Sequence, residues 1–170
     1  NPGKISMADL KNYRVIEREP VCAPYREYEV CGMGAPSSGA IALGEILGVL
    51  QNQDMKALGA ENIHSWRWIG DASRIAFADR DYYVGDPVFV NVPTRVMISQ
   101  AYLKPRAEEI RQSDKALENI QAGRVGKAYA QGMAVELPST SHLVVVDKDG
   151  NVVSMTTSIE NAFGSGLMAN

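Results

Sequence analysis

The segment from Ser139 to Gly164 constrains the fold more than any other stretch. Leu143-Val144-Val145-Val146 and Val152-Val153 flank Asp149-Gly150, the pattern of two strands joined in an antiparallel hairpin. Hydroxyl residues gather at its open end: Ser139, Thr140 and Ser141 on one strand, Thr156, Thr157 and Ser158 on the other. A hairpin needs no such cluster for stability, whereas a nucleophile with a hydrogen-bonding partner does.

Two loops fit the turn. A two-residue Asp149-Gly150 loop pairs Lys148 with Asn151 and sets Thr140 opposite Ile159. A three-residue Lys148-Asp149-Gly150 loop, with Gly150 left-handed, pairs Asp147 with Asn151 and sets Thr140 opposite Ser158. Asp-Gly suits both, and the residues alone leave the choice open. An isolated Thr also lacks a base. One remedy is to make it N-terminal, so that its own α-amine takes the proton, which demands cleavage of the Ser139–Thr140 bond. On spacing alone the simpler alternative is a sheet edge populated by residues of good β propensity.

The 170 residues suffice for one domain with a sizeable core, and 45% apolar with 22% charged residues is ordinary for a globular chain. A net charge of −3 without any Lys/Arg run argues against nucleic-acid or membrane-surface partners. No apolar stretch is long enough to span a bilayer, and no signal peptide is visible. Abrupt ends at Asn1 and Asn170 suggest a piece of something longer. His64 and His142 lack metal-ligand spacing, so no metal and no cofactor are implied. Cys22 and Cys31 form no CxxC pair. If 20–24 and 28–33 pair, the cysteines are not expected to oppose each other, and they are read as small buried hydrophobes rather than a disulfide.

Along the chain, Ser6 and Asp9 form a capping box for a short helix. Tyr13–Glu17 and Pro20–Cys22 read as extended, Tyr25-Arg26-Glu27 turns, and Tyr28–Met33 alternates like a strand. Pro36-Ser37-Ser38-Gly39 reads as an ordinary Ser N-cap rather than an anion site, since it lacks the P-loop lysine. A buried helix follows over about 40–50. A second helix over about 60–80 carries Ile63, Trp66, Ile69, Ser73, Ile75 and Ala76 as its expected core stripe, with His64 at the surface and Asp79–Tyr82 as a closing charge network. Gly85-Asp86-Pro87 reads as a turn. A third helix over 98–113 is expected to end or kink at Pro105. Residues 112–139, with no clear period, read as a mobile linker.

The hairpin segment resembles the start of the small subunit of gamma-glutamyltransferases (gamma-glutamyltranspeptidases), in the N-terminal-nucleophile hydrolase superfamily. Thr140, Ser141, His142, Gly150, Asn151, Val153, Ser154, Thr156, Ile159, Glu160, Phe163 and Gly164 match the family pattern at its spacing. Upstream, Tyr28–Gly39, Phe77-Ala78-Asp79-Arg80 and Gly85-Asp86-Pro87 resemble the C-terminal part of the family's large subunit. The pattern departs at Val144, where Ser or Thr is usual, and at Ser158, which replaces Thr.

The resemblance implies an α+β fragment of a four-layer αββα fold, with residues 1–139 ending the large subunit and 140–170 opening the small one. It implies a precursor in which Thr140 attacks the carbonyl of Ser139, freeing its own amine. The mature Thr140 then forms a γ-glutamyl ester from glutathione or related amides and passes it to water or amino acids. Ser158 matches the residue that hydrogen-bonds the nucleophile, and Glu160 the one that holds the substrate ammonium. The family's other substrate-gripping residues lie outside these positions. Family resemblance also implies a two-subunit product and a periplasmic or secreted location. The alternatives are a β-lactam side-chain acylase of the same superfamily and a non-catalytic relative.

Overall fold

The computed structural model describes residues 5–125 and 140–159. They fall into two compact units, one spanning 17–133 and the other combining 1–16 with 134–170.

The first unit is built on a three-helix core. Helix α2 (Gly39–Leu50) packs against α4 (Ile63–Tyr83) and α6 (Gln100–Arg111). Val49, Leu50, Trp68, Ala72, Ile75, Leu103, Ala107 and Ile110 form the shared apolar cluster. Ile41, Tyr83 and Met97 form a second cluster, joined by Val21, Val92 and Ile98. Short helices α3 (Met55–Leu58) and α5 (Thr94–Met97) connect these elements. Strands β1 (Val21–Tyr25) and β2 (Tyr28–Gly32) form a hairpin that lies on α2.

The buried face of α4 differs from the expected stripe. Ile63 and Trp66 are exposed, at 73% and 61%, and the core face runs through Ser65, Trp68, Asp71, Ala72, Ile75, Ala76, Asp79 and Tyr83. Ile75 and Ala76 of the expected stripe are buried, but two of the core-facing residues are carboxylates, which apolar periodicity could not pick out. His64 lies at the surface, as expected. Ser38 precedes α2 but makes no side-chain cap; its Oγ accepts from Arg80 Nε at 3.0 Å instead. Pro105 does not end α6. Its missing N–H would have reached the carbonyl of Ala101, and both residues are on the exposed side, where water can satisfy that carbonyl.

The cysteines also depart from expectation. A turn of only Arg26 and Glu27 pairs Tyr25 with Tyr28, and this register sets Cys22 directly opposite Cys31. With Cα atoms 4.0 Å apart they form a disulfide. Arg26 takes a left-handed φ of 56°, which is what so tight a turn requires.

Between α2, α4 and α6 lies a buried polar cluster. Asp79 is fully buried; it accepts from Tyr102 Oη at 2.6 Å and from the Gly123 amide at 2.7 Å, with Arg106 Nη2 3.8 Å away. Glu45 is fully buried too, and neither of its oxygens has a hydrogen-bond partner among the described residues. Burial first, then the Asp79 charge, pushes its carboxyl up to about 10, so it stays protonated and neutral. Burial and the bond to Asp79 likewise raise the Tyr102 hydroxyl.

Residues 113–125 form no regular element, yet their backbone is bound by side chains of α4 and α6. Arg67 donates to the carbonyls of Ser113 and Lys115, and Arg74 to that of Leu117. Asp71 accepts from the Leu117 amide at 2.9 Å. The remainder of the expected linker, through 139, lies outside the described residues.

In the second unit, Ser6 and Asp9 make the reciprocal capping box that starts α1 (Met7–Asn12). Strands β3 (Thr140–Val146) and β4 (Val152–Ser158) form an antiparallel hairpin. Val144, Val146 and Val152 lie on one of its faces and Leu143, Val145, Val153 and Met155 on the other, all exposed. Strands apolar on both sides are of the kind that sheets bury between two layers.

Candidate active site

The site is set at the far end of the hairpin by the turn. Asp147 pairs with Asn151, its amide donating to the Asn151 carbonyl at 3.0 Å, and Lys148-Asp149-Gly150 forms the loop. Gly150 takes φ 83°, a left-handed value that costs a side chain and suits glycine. Asp147 secures the turn: Oδ1 accepts the amides of Asp149 and Asn151, both at 2.9 Å, and Oδ2 accepts the Asn151 side chain at 2.7 Å. These bonds, the Asn151 side chain foremost, hold its carboxyl below the usual range.

The three-residue loop is therefore the one adopted, and Thr140 stands directly opposite Ser158. Strand alternation carries His142, Thr156 and Ser154 onto the same face. His142 is occupied on both ring nitrogens, Nδ1 lying 2.8 Å from Thr156 Oγ1 and Nε2 3.2 Å from Ser154 Oγ. An imidazole so held acts as a brace between β3 and β4. Val144 continues that face beyond His142, opposite Ser154.

Thr140 and Ser158 are thus brought together, both exposed. Ser139 and Glu160 lie outside the described residues. Among the described residues Cys22, Glu29 and Cys31 group as metal-binding donors do, but the two sulfurs are bonded to each other. Asp79 was expected in a charge network closing α4; Arg80 and Asp81 do pair, at 3.1 Å, but Asp79 faces the interior, and the buried cluster around it was not read from the sequence. Its one available signal was an acidic residue recurring on the α4 core face at Asp71 and Asp79.

Comparison with known proteins supplies the context. A family profile described as Gamma-glutamyltranspeptidase matches residues 1–170. The glutathione hydrolase proenzyme of Escherichia coli (strain K12) is 38% identical over 170 residues, which is 99% of this chain and 28% of that protein. The crystal structure of Helicobacter pylori gamma-glutamyltranspeptidase superposes with a TM-score of 0.69 at 37% identity, covering 74% of this chain and 37% of that one. Cephalosporin acylase from Bacillus halodurans gives 0.77 at 25% identity, covering 98% and 27%. The chain therefore spans well under half the length of the relatives it matches. Its mixed helices and strands are a fragment of the N-terminal-nucleophile hydrolase fold. With its whole length matched by one profile, the chain belongs to the gamma-glutamyltranspeptidase family.

Proposed function

We propose that this chain is the processing region of a gamma-glutamyltransferase and glutathione hydrolase made as a self-cleaving precursor. The observation that carries the reading is the pairing of Thr140 with Ser158 at the open end of the hairpin. In the precursor, Thr140 Oγ attacks the carbonyl carbon of Ser139. The acyl group moves from nitrogen to oxygen, and water hydrolyses the ester, leaving a Ser139 carboxylate and a free Thr140 amine. That amine then serves as general base for the same hydroxyl.

In the mature enzyme Thr140 Oγ attacks the γ-glutamyl amide and the donor's amine departs. Water or an acceptor amine then takes the γ-glutamyl group from the ester. Ser158 bonds the nucleophile, and the Glu160 carboxylate receives the substrate ammonium. Residues up to 139 close the large subunit and those from 140 open the small one, giving a two-subunit enzyme for small-molecule substrates. No helix among the described residues is long and apolar enough to cross a membrane. The Cys22–Cys31 disulfide supports a periplasmic or secreted location, because such bonds persist in oxidising compartments.

N-terminal sequencing of the purified full-length protein tests the reading: a subunit beginning Thr-Ser-His-Leu is expected, and its absence refutes self-cleavage. The likeness to a cephalosporin acylase favours one second reading, a β-lactam side-chain acylase. Parallel assays of γ-glutamyl amides and acylated β-lactams separate the two.

A further inference from the structure

Before cleavage Thr140 has no amine. Its nitrogen belongs to the Ser139–Thr140 amide, whose delocalised lone pair takes no proton near neutral pH. Some other group must hold the proton that leaves Thr140 Oγ until the departing nitrogen receives it.

Strands β3 and β4 carry one ionisable side chain, His142. It stands two residues from Thr140, and strand alternation puts both on one face, with Ser154, Thr156 and Ser158 across from them. His142 Nδ1 lies 2.8 Å from Thr156 Oγ1, and Nε2 lies 3.2 Å from Ser154 Oγ. A hydroxyl both donates and accepts. In the tautomer where Nε2–H donates to Ser154, Nδ1 accepts from Thr156 and is the nitrogen that can take its proton. Thr156 is in turn two residues from Ser158, the partner of Thr140. That step is about 7 Å along the backbone, and one water spans hydroxyls so placed. No charged side chain of either strand shares this face; Asp147, Lys148 and Asp149 sit at the turn, the other end of the hairpin.

Holding the strands together asks for less. At the same level on the opposite face Leu143 meets Met155 and Val145 meets Val153, and apolar pairs suffice. On the Thr140 face both imidazole nitrogens are engaged by hydroxyls, and the polar run continues to the nucleophile.

We propose that His142 is the proton acceptor for self-cleavage, reached from Thr140 through Thr156. The proposal rests on the self-cleavage reading above. As Thr140 Oγ bonds to the Ser139 carbonyl carbon, its proton passes by way of Thr156 to His142 Nδ1. When the carbon–nitrogen bond breaks, the proton returns along the same hydroxyls to the departing nitrogen, which becomes the Thr140 amine. His142 ends neutral, and water then hydrolyses the ester. His142 and Thr156 are positioning residues for maturation: they place and store the proton, and the attack belongs to Thr140.

The test follows the first-order disappearance of full-length precursor from about pH 5 to pH 9. The native rate should fall about tenfold per pH unit below about pH 6.5, where imidazoles ordinarily take up a proton, and level off above it. His142→Gln stays polar but accepts no proton near neutral pH. Its plateau rate should be lower on the order of a hundredfold, and the acid limb should vanish. Thr156→Val keeps the shape without the hydroxyl and should lose the limb too, and combining both substitutions should slow cleavage no further. Thr156→Ser, which keeps the hydroxyl, should retain the limb. A limb that persists in His142→Gln and Thr156→Val overturns the proposal even if both rates fall, because loss of a mere brace slows cleavage equally at every pH. Additive losses in the double variant overturn the path through Thr156. A native precursor that is cut with a flat profile sinks this proposal alone, whereas one that is never cut sinks the self-cleavage reading first.

Discussion

Thr140 faces Ser158 across the β3–β4 hairpin, and the turn between Asp147 and Asn151 is what makes them partners. Both residues are exposed. Register sets one against the other.

The pair predicts two separable effects. Thr140→Ala should abolish cleavage at Ser139–Thr140, because the attacking oxygen is gone. Ser158→Ala should only slow it, on the order of tenfold, the weight of one hydrogen bond to a reacting group. Ser158→Thr restores the family's usual residue and should cleave at least as fast as the native chain. A time course of precursor disappearance checks all three, and rapid cleavage by Ser158→Ala would remove Ser158 from the mechanism.

The turn has its own pH dependence. Asp147 has a folded pKa below its unfolded value, so its contribution is present above the unfolded value, ordinarily about 3.9. It is lost as pH falls through the lower folded value. Exchange of the Asn151 amide should therefore accelerate in acid, and Asp147→Ala should erase that step. Gly150→Val should weaken the hairpin by about 1–2 kcal/mol through its left-handed φ, measurable by chemical denaturation.

Glu45 predicts the opposite sign. Its folded pKa, about 10, lies above the unfolded carboxylate value, so the folded state holds a proton that the unfolded state releases. Stability is greatest below the unfolded pKa and declines as pH rises towards the folded one. Glu45→Gln keeps the shape and removes the proton. Its melting temperature relative to the native chain should improve steadily from about pH 5 to pH 9. A constant difference over that range would mean that Glu45 is ionised in the fold.

Loss of the disulfide should be mild. The bridge joins residues separated by 9 positions in a hairpin already closed by its turn. Cys22→Ser with Cys31→Ser should cost roughly 1–2 kcal/mol, read as a modest fall in melting temperature without reductant. A much larger loss would show that the bridge supports more than the hairpin.

Much of this was legible in the residues, and what was not has physical causes. The β3–β4 hairpin announced itself through alternation and Asp-Gly, but its register depended on one loop residue, Lys148, that either pairs or turns. The capping box at Ser6 and Asp9 was local and so was readable. The face of α4 was readable at Ile75 and Ala76 but not at Asp71 and Asp79, which belong to the interior by virtue of amides far downstream, at Leu117 and Gly123. Residues 113–125 had no period for the same reason: their hydrogen bonds come from side chains of α4 and α6. Cys22 and Cys31 were misjudged because opposition across two strands hangs on a turn of only Arg26 and Glu27. Glu160 and Ser139 remain readings of the sequence.

One feature of the turn reaches further than its size suggests. Lys148 could have been drawn into the strand to leave Asp149-Gly150 as the loop, and every residue of β3 would then have met a neighbour one place along β4. Thr140 would stand across from Ile159, and Ser158 would point to the opposite face. The hairpin works like a vernier, in which a single step at Lys148, about 25 Å from the threonine, decides between a nucleophile with a partner and one beside a hydrocarbon. Selection for chemistry at Thr140 therefore acts on the parity of a loop that never touches it.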